Sequence, residues 1–185
     1  MAEKVNAFKS KYTGEQMEAL LDKIKKGSNI TTTGHPYERT QERYENDYMI
    51  ITSNHVSSLP SGRAGGMVGD IIYNDNAGGI TVTGVNNSRY TFNVTYEFKR
   101  KVLIKGVHFC GNSNFNYCNF FAFWFYYIDS ETGASKRFYV SPTYSYSGPI
   151  SFNKIFTEEI KTSKISVDCA FHGLLQYLAF DIELI

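Results

Sequence analysis

An antiparallel β-sandwich or jelly roll, preceded by one short amphipathic α-helix and a polar linker, is the fold class that the 185-residue sequence predicts. Three observations carry that expectation. Tyr and Phe number 14 each against a single Trp, and an aromatic share of 16% suits strands, whose pleated faces half-bury rings against their neighbours. From Tyr48 onward, short alternating or apolar runs recur with turn signals between them, which is the rhythm of a sandwich. The one complete helix signature is confined to YTGEQMEALLDKIKKG, Tyr12 to Gly27.

Within that stretch Thr13 and Gln16 fit a capping box, and Tyr12 and Met17 are spaced as a hydrophobic staple. Glu15 and Glu18 sit near the positive end of the helix dipole; Lys23, Lys25 and Lys26 sit near its negative end. Gly27 can adopt the left-handed conformation that closes a helix, so the element is expected from about Gly14 to Lys26. Its apolar residues Met17, Leu20, Leu21 and Ile24 fall at i, i+3, i+4 and i+7, a single stripe. A helix of this length is marginal in water by itself, so the stripe must be covered. The cover is either the chain's own β-domain or another polypeptide, a sister copy or a larger assembly. Ser28 to Asp47, polar and without apolar periodicity, reads as a tether and favours the second. The expected organisation is therefore a helical anchor or oligomerisation segment over residues 1–27, a polar linker over 28–47 and a β-sandwich domain over 48–185.

The segment YTGEQMEALLDKI resembles one found near the start of many virion proteins of phages and prophages of gut Bacteroidales, including crAss-like phages. Tyr12, Thr13, Gly14, Gln16, Leu20, Leu21, Asp22 and Lys23 carry the match. The resemblance implies a non-enzymatic virion structural protein made in the bacterial host cytoplasm. Such a protein is a homo-oligomeric head fibre, capsid decoration or tail component, attached through its N-terminal region to capsid or tail proteins of the same phage.

In the body, strands are expected at Tyr48 to Ser53, at Met67 to Asn74 and, after the turn run NDNAGG, at Ile80 to Val85, the last two as a hairpin. Arg89 to Phe98 alternates cleanly, with Tyr90, Phe92, Val94, Tyr96 and Phe98 on one face. Val102 to Phe109 follows. Asn119 to Ile128 is apolar on both faces and reads as a central, buried strand; SETGAS turns it into Lys136 to Ser141. Ile150 to Phe156, Lys164 to Phe171 and Gln176 to Leu184 complete the set. There is no internal repeat.

A formal charge of +1 argues against nucleic acid as a partner, because phosphate binding needs an excess of Lys and Arg on one face. No run approaches the length of a bilayer span, the longest being Phe120 to Ile128, so no membrane partner is expected. Three cysteines cannot all pair within the chain and no export signal precedes them, which reads as reduced thiols in a cytosolic setting. The Asn-x-Ser/Thr patterns at Asn29, Asn86 and Asn93 then carry no weight as glycosylation sites.

Candidate chemistry is sparse, and no cofactor is expected. SGRAGGMVGD, Ser61 to Asp70, lacks the Lys-Ser/Thr of a phosphate loop and is followed by strand-like sequence, so it reads as a loop. His108, Cys110, Cys118, Cys169 and His172 match no structural zinc spacing, so no metal is expected. There is no nucleophile elbow, and Glu158 and Glu159 are adjacent in what reads as a turn or short helical segment rather than as a facing pair. Tyr144 and Tyr146 in PTYSYSG are the candidate glycan contacts: exposed rings among small polar residues can stack on the apolar faces of a pyranose. NSNFNYCN, Asn112 to Asn119, poses the same reading. Two functions result. The first is the virion structural protein, and the alternative is a carbohydrate-binding jelly-roll module or the receptor-binding domain of a tail fibre, with surface glycans as partners.

Overall fold

The structure, a computed structural model, describes residues 38–72, 78–83, 91–113, 122–129, 131–143 and 148–185. Ten strands follow in order: β1 Glu38–Arg39, β2 Arg43–Glu45, β3 Met49–Ser53, β4 Ala64–Gly65, β5 Ile80–Val82, β6 Thr91–Ser113, β7 Ala122–Ile128, β8 Ser135–Val140, β9 Gly148–Ala170 and β10 Gly173–Leu184. Every pairing between them is antiparallel.

Two 23-residue strands, β6 and β9, run the length of the domain and belong to both of its layers. The first half of β6 pairs with the second half of β9, and this ribbon is extended by β7 and β8 on one side and by β3, β2 and β1 on the other. The second half of β6 lies between the first half of β9 and β10, which is followed by β5 and β4. Between the halves the register slips twice. Glu97 pairs with Lys164 and Val102 with Thr162; then Ile104 pairs with Ile160 and Gly106 with Ile155. The first slip inserts extra residues in β6 and the second inserts as many in β9, so the ladder regains register while the ribbon bends. The sequence shows these bulges as breaks in alternation, FKRK in β6 and TEEIKTS in β9. That is why each continuous strand reads from sequence as two.

The bend lays one layer on the other. Tyr96 packs edge-on against Phe180 with ring centroids 5.1 Å apart, Phe109 meets Phe123 at 4.7 Å, and Phe125 meets Phe152 at 6.3 Å and Phe180 at 6.1 Å. Each contact crosses from one sheet to the other, the arrangement of an antiparallel sandwich. The buried Tyr96 hydroxyl donates to the Leu178 carbonyl at 2.6 Å, which satisfies a polar group that burial would otherwise penalise. The jelly-roll class expected from aromatic content and strand rhythm is the fold observed.

Several element boundaries differ from expectation. The polar tether expected to run to Asp47 is already sheet from Glu38: β1 and β2 pair, β2 pairs with β3, and Tyr44 is 1% exposed. Polar character there comes from a ladder of edge charges, with Arg43 bonded to Glu38 at 2.5 Å and to Glu45 at 2.7 Å. Blunting an edge with charge gives a strand the composition of a linker. Of the strand expected from Met67 to Asn74, the described residues 67–72 are not strand. Val68–Ile72 forms a 3-10 helix with Val68, Ile71 and Ile72 fully buried, and Gly69 lies so close to the Tyr44 ring that a Cβ would come within 2.4 Å of it. A short apolar run fits either period, and here packing under Tyr44 selects the helical one. Among the described residues β5 pairs with β10 and β4 rather than with the expected hairpin partner. The glycine-rich stretch contributes β4 and then Gly66, at φ 92°, where a Cβ would sit 1.9 Å from the Gly79 carbonyl oxygen. Residues 1–37, with the Met17, Leu20, Leu21 and Ile24 stripe, lie outside the described residues.

His55 carries a pH dependence. It is fully buried, and its Nδ1 lies 3.0 Å from the Ser53 hydroxyl. Burial pushes the imidazole below its ordinary value of 6.5, against the pull of the nearby Glu42 carboxylate, and burial pushes His172 down in the same way. A histidine whose folded pKa is depressed binds fewer protons folded than unfolded, so its stability is present above 6.5 and is lost as pH falls below it. The urea midpoint is therefore expected to be lower at pH 5 than at pH 8. Equal midpoints would contradict the neutral, buried assignment.

Candidate functional site

The strand AFWFYYI, β7, places its side chains alternately. Phe123 and Phe125 point into the sandwich and are fully buried, while Trp124 and Tyr126 stand on the outer face, half-buried. Two strand residues advance the chain by about 6.8 Å, so the two rings form neighbouring platforms on one face. The sequence expectation for this strand, apolar and buried on both sides, holds only for the inner side.

Cross-strand register extends each platform into a polar row. Trp124 is opposite Asp168 on β9, which is opposite Asn93 on β6. Tyr126 lies between Arg137 on β8 and Ser166 on β9, and Ser166 is opposite Thr95. Asn93 locks the rows together. Its amide donates to Ser166 Oγ at 2.6 Å and to Asp168 Oδ1 at 2.9 Å, its Oδ1 accepts from the Thr95 hydroxyl at 2.7 Å, and its backbone N–H donates to Asn54 Oδ1 at 2.7 Å. With its side-chain partners all taken, Asn93 positions Asp168. The neighbouring β7–β8 turn is fixed by Asp129, which accepts from the backbone N–H groups of Glu131 and Thr132 at 3.0 and 3.1 Å and pairs with Lys136. The Lys136 ammonium, followed by those two N–H groups, holds the Asp129 carboxyl well below the usual carboxylate range. That turn sets where Arg137 projects.

Together these residues line an open groove of about 480 Å³ bounded by Asn54, Thr91, Asn93, Trp124, Tyr126, Arg137 and Asp168. Among the described residues the Arg137 guanidinium makes no hydrogen bond or ion pair. The groove thus offers two aromatic faces, a carboxylate acceptor and a guanidinium donor on a rigid sheet. That combination suits adsorption of a hydroxyl-rich ring: apolar C–H faces lie on aromatic carbon, and hydroxyls bond to fixed polar groups at the edge. Nothing in it resembles an activated nucleophile or a facing pair of acids.

Other places carry less. A more enclosed cavity of about 180 Å³ has an apolar floor of Tyr48, Met49, Phe98, Val102, Ile182 and Leu184 and charged residues Asp47, Lys99 and Arg100 in its lining. His108 Nε2 lies 2.6 Å from Asp181 Oδ2 on the outer face of the other sheet. Cys110 shares that face, whereas Cys169 is fully buried, and burial raises the pKa of both thiols. Among the described residues no group of three or more His, Cys, Asp or Glu side chains is arranged to hold a metal ion. Glu158 and Glu159 lie within β9 rather than in a turn or helix, both exposed, with Glu159 paired to Lys161 at 2.8 Å. Among the described residues no helix is long and apolar enough to cross a membrane.

Tyr144 and Tyr146, the candidate glycan contacts from sequence, lie outside the described residues, as do Cys118 and most of NSNFNYCN. The groove residues Trp124, Tyr126, Arg137, Asp168 and Asn93 are ones that sequence reasoning passed over. The available signal was the lone Trp placed two residues before a Tyr in a strand whose alternate positions, Phe123 and Phe125, are both Phe.

No protein-family model matches the chain, and no curated protein matches it by sequence. Solved structures do share its fold. The family 32 carbohydrate-binding module of Clostridium perfringens NanJ, solved in complex with galactose, superposes with a TM-score of 0.50 at 9% identity over 71% of this chain and 92% of that one. CpGH89CBM32-6 produced by Clostridium perfringens superposes with a TM-score of 0.50 at 5% identity over 73% of this chain and 94% of the other. At such identities the likeness concerns the fold alone.

Proposed function

We propose that the protein is a carbohydrate-binding module that acts without catalysis and holds glycans in the groove over β7. The observation that carries this reading is the pair Trp124 and Tyr126, side by side on an outward sheet face and flanked by a hydrogen-bonded polar row. A sheet face normally turns polar residues to water, and two large rings placed there expose apolar area that a ligand can cover. The shared fold with a module solved in complex with galactose supports the same class of ligand.

The N-terminal YTGEQMEALLDKI segment supports a setting for such a module: the receptor-binding end of a phage fibre, with residues 1–27 serving attachment. In that setting the chain is a homo-oligomer. A monomeric mass by light scattering at high concentration would speak against it while leaving glycan binding untouched.

The functional test is an oligosaccharide array probed with the full chain. The expected result is a cluster of hits sharing one sugar linkage, abolished by an excess of the free oligosaccharide. An array without hits, repeated with polysaccharides from bacterial surfaces, would overturn the reading.

A further inference from the structure

The groove is not chemically uniform along β7. Trp124 has the Asp168 carboxylate beside it in its own row, whereas Tyr126 has the Arg137 guanidinium in its row. A carboxylate next to one platform accepts sugar hydroxyls and repels an anion; a guanidinium with no partner among the described residues attracts one. The two platforms therefore favour different sugars.

Resting on glycan binding by this groove, we infer that its ligand is an extended acidic glycan. At least two consecutive sugar units lie along β7: a neutral unit on Trp124 with hydroxyls donated to Asp168, and a unit on Tyr126 whose carboxylate or sulfate meets Arg137. Three features point the same way. The platforms sit two residues apart on one strand, about 6.8 Å, so a ligand that uses both rings must extend beyond a single sugar ring. The groove opens across a sheet face rather than closing into a socket, which accommodates the interior of a polymer. Asp168 has one oxygen held by Asn93, which aims it along the Trp124 row, and it makes no ion pair with Arg137 among the described residues.

The experiment titrates the full chain with three sets of oligosaccharides matched in length and linkage: neutral, uronate-bearing and sulfated. A charge-assisted bond is worth enough that an acidic tetrasaccharide is expected to bind about tenfold or more tighter than its neutral counterpart. The advantage should shrink at high salt, because the guanidinium is exposed. Arg137→Gln should remove the advantage and Arg137→Lys should keep part of it, since lysine retains charge without the planar fork. An acidic monosaccharide should bind at least about tenfold more weakly than the tetrasaccharide, because it reaches one ring only. The uronate and sulfate arms then decide which anion is read. Equal affinity for neutral and acidic chains, or indifference to Arg137→Gln, would overturn the inference. If neutral and acidic chains bind equally and both are lost on Trp124→Ala, the inference is overturned while the groove remains a glycan site. Absence of binding to every set would overturn both readings.

Discussion

Truncation of Phe125 to alanine is expected to cost about 3–5 kcal/mol of folding stability, the range for a large aromatic removed from a packed core. Phe125 is fully buried and its ring lies within 5.5 to 6.3 Å of Phe123, Phe138, Tyr139, Phe152 and Phe180. Those neighbours come from both layers, so the cavity would open at the joint between the sheets, where neither can collapse without moving the other. Chemical denaturation followed by far-UV circular dichroism reads the loss directly. A loss under about 1 kcal/mol, the size of an ordinary surface change, would mean that the layers are not held together at this ring.

Trp124→Ala has the opposite profile. The ring is only half-buried, so the folded state should survive with a near-normal midpoint, while glycan affinity falls by about 2 kcal/mol or more, roughly thirtyfold. The pairing of these two variants is informative because they are adjacent positions on one strand: Phe125 faces the core and Trp124 faces the ligand. Isothermal titration against the best array hit would measure the second effect. Retained affinity in Trp124→Ala would show that the sugar lies elsewhere. Loss of the fold would show that the outer face is structural.

Much of the architecture is legible in local pattern, and the failures have local causes. Phe92, Val94, Tyr96 and Phe98 alternate so strictly that both strand and inward face follow from periodicity, and all four are buried. Val68 to Ile72 misleads because so short an apolar run is easily taken for a buried strand although Val68, Ile71 and Ile72 fall at the helical i, i+3, i+4 spacing, which packing against the Tyr44 ring above Gly69 makes use of. Glu38 to Glu45 misleads because a charged sheet edge has the composition of a tether. The site is harder still. Asn93 and Asp168 are 75 residues apart and meet only because two long strands pair in register. No sequence window brings Arg137 beside Tyr126, since their pairing depends on a register shift between Phe125 and Tyr126. What could have been read is smaller: a lone Trp on the outward phase of an aromatic strand.

That lone Trp also supplies the most direct test of the groove as a binding site. It is the chain's single tryptophan, so intrinsic tryptophan emission reports on this groove alone. Titration of the full chain with its best-binding oligosaccharide is predicted to give a saturable blue shift with the same midpoint as the calorimetric isotherm, because a sugar ring stacked on Trp124 displaces water from it. An unchanged emission spectrum at ligand concentrations where calorimetry shows full occupancy would contradict the account.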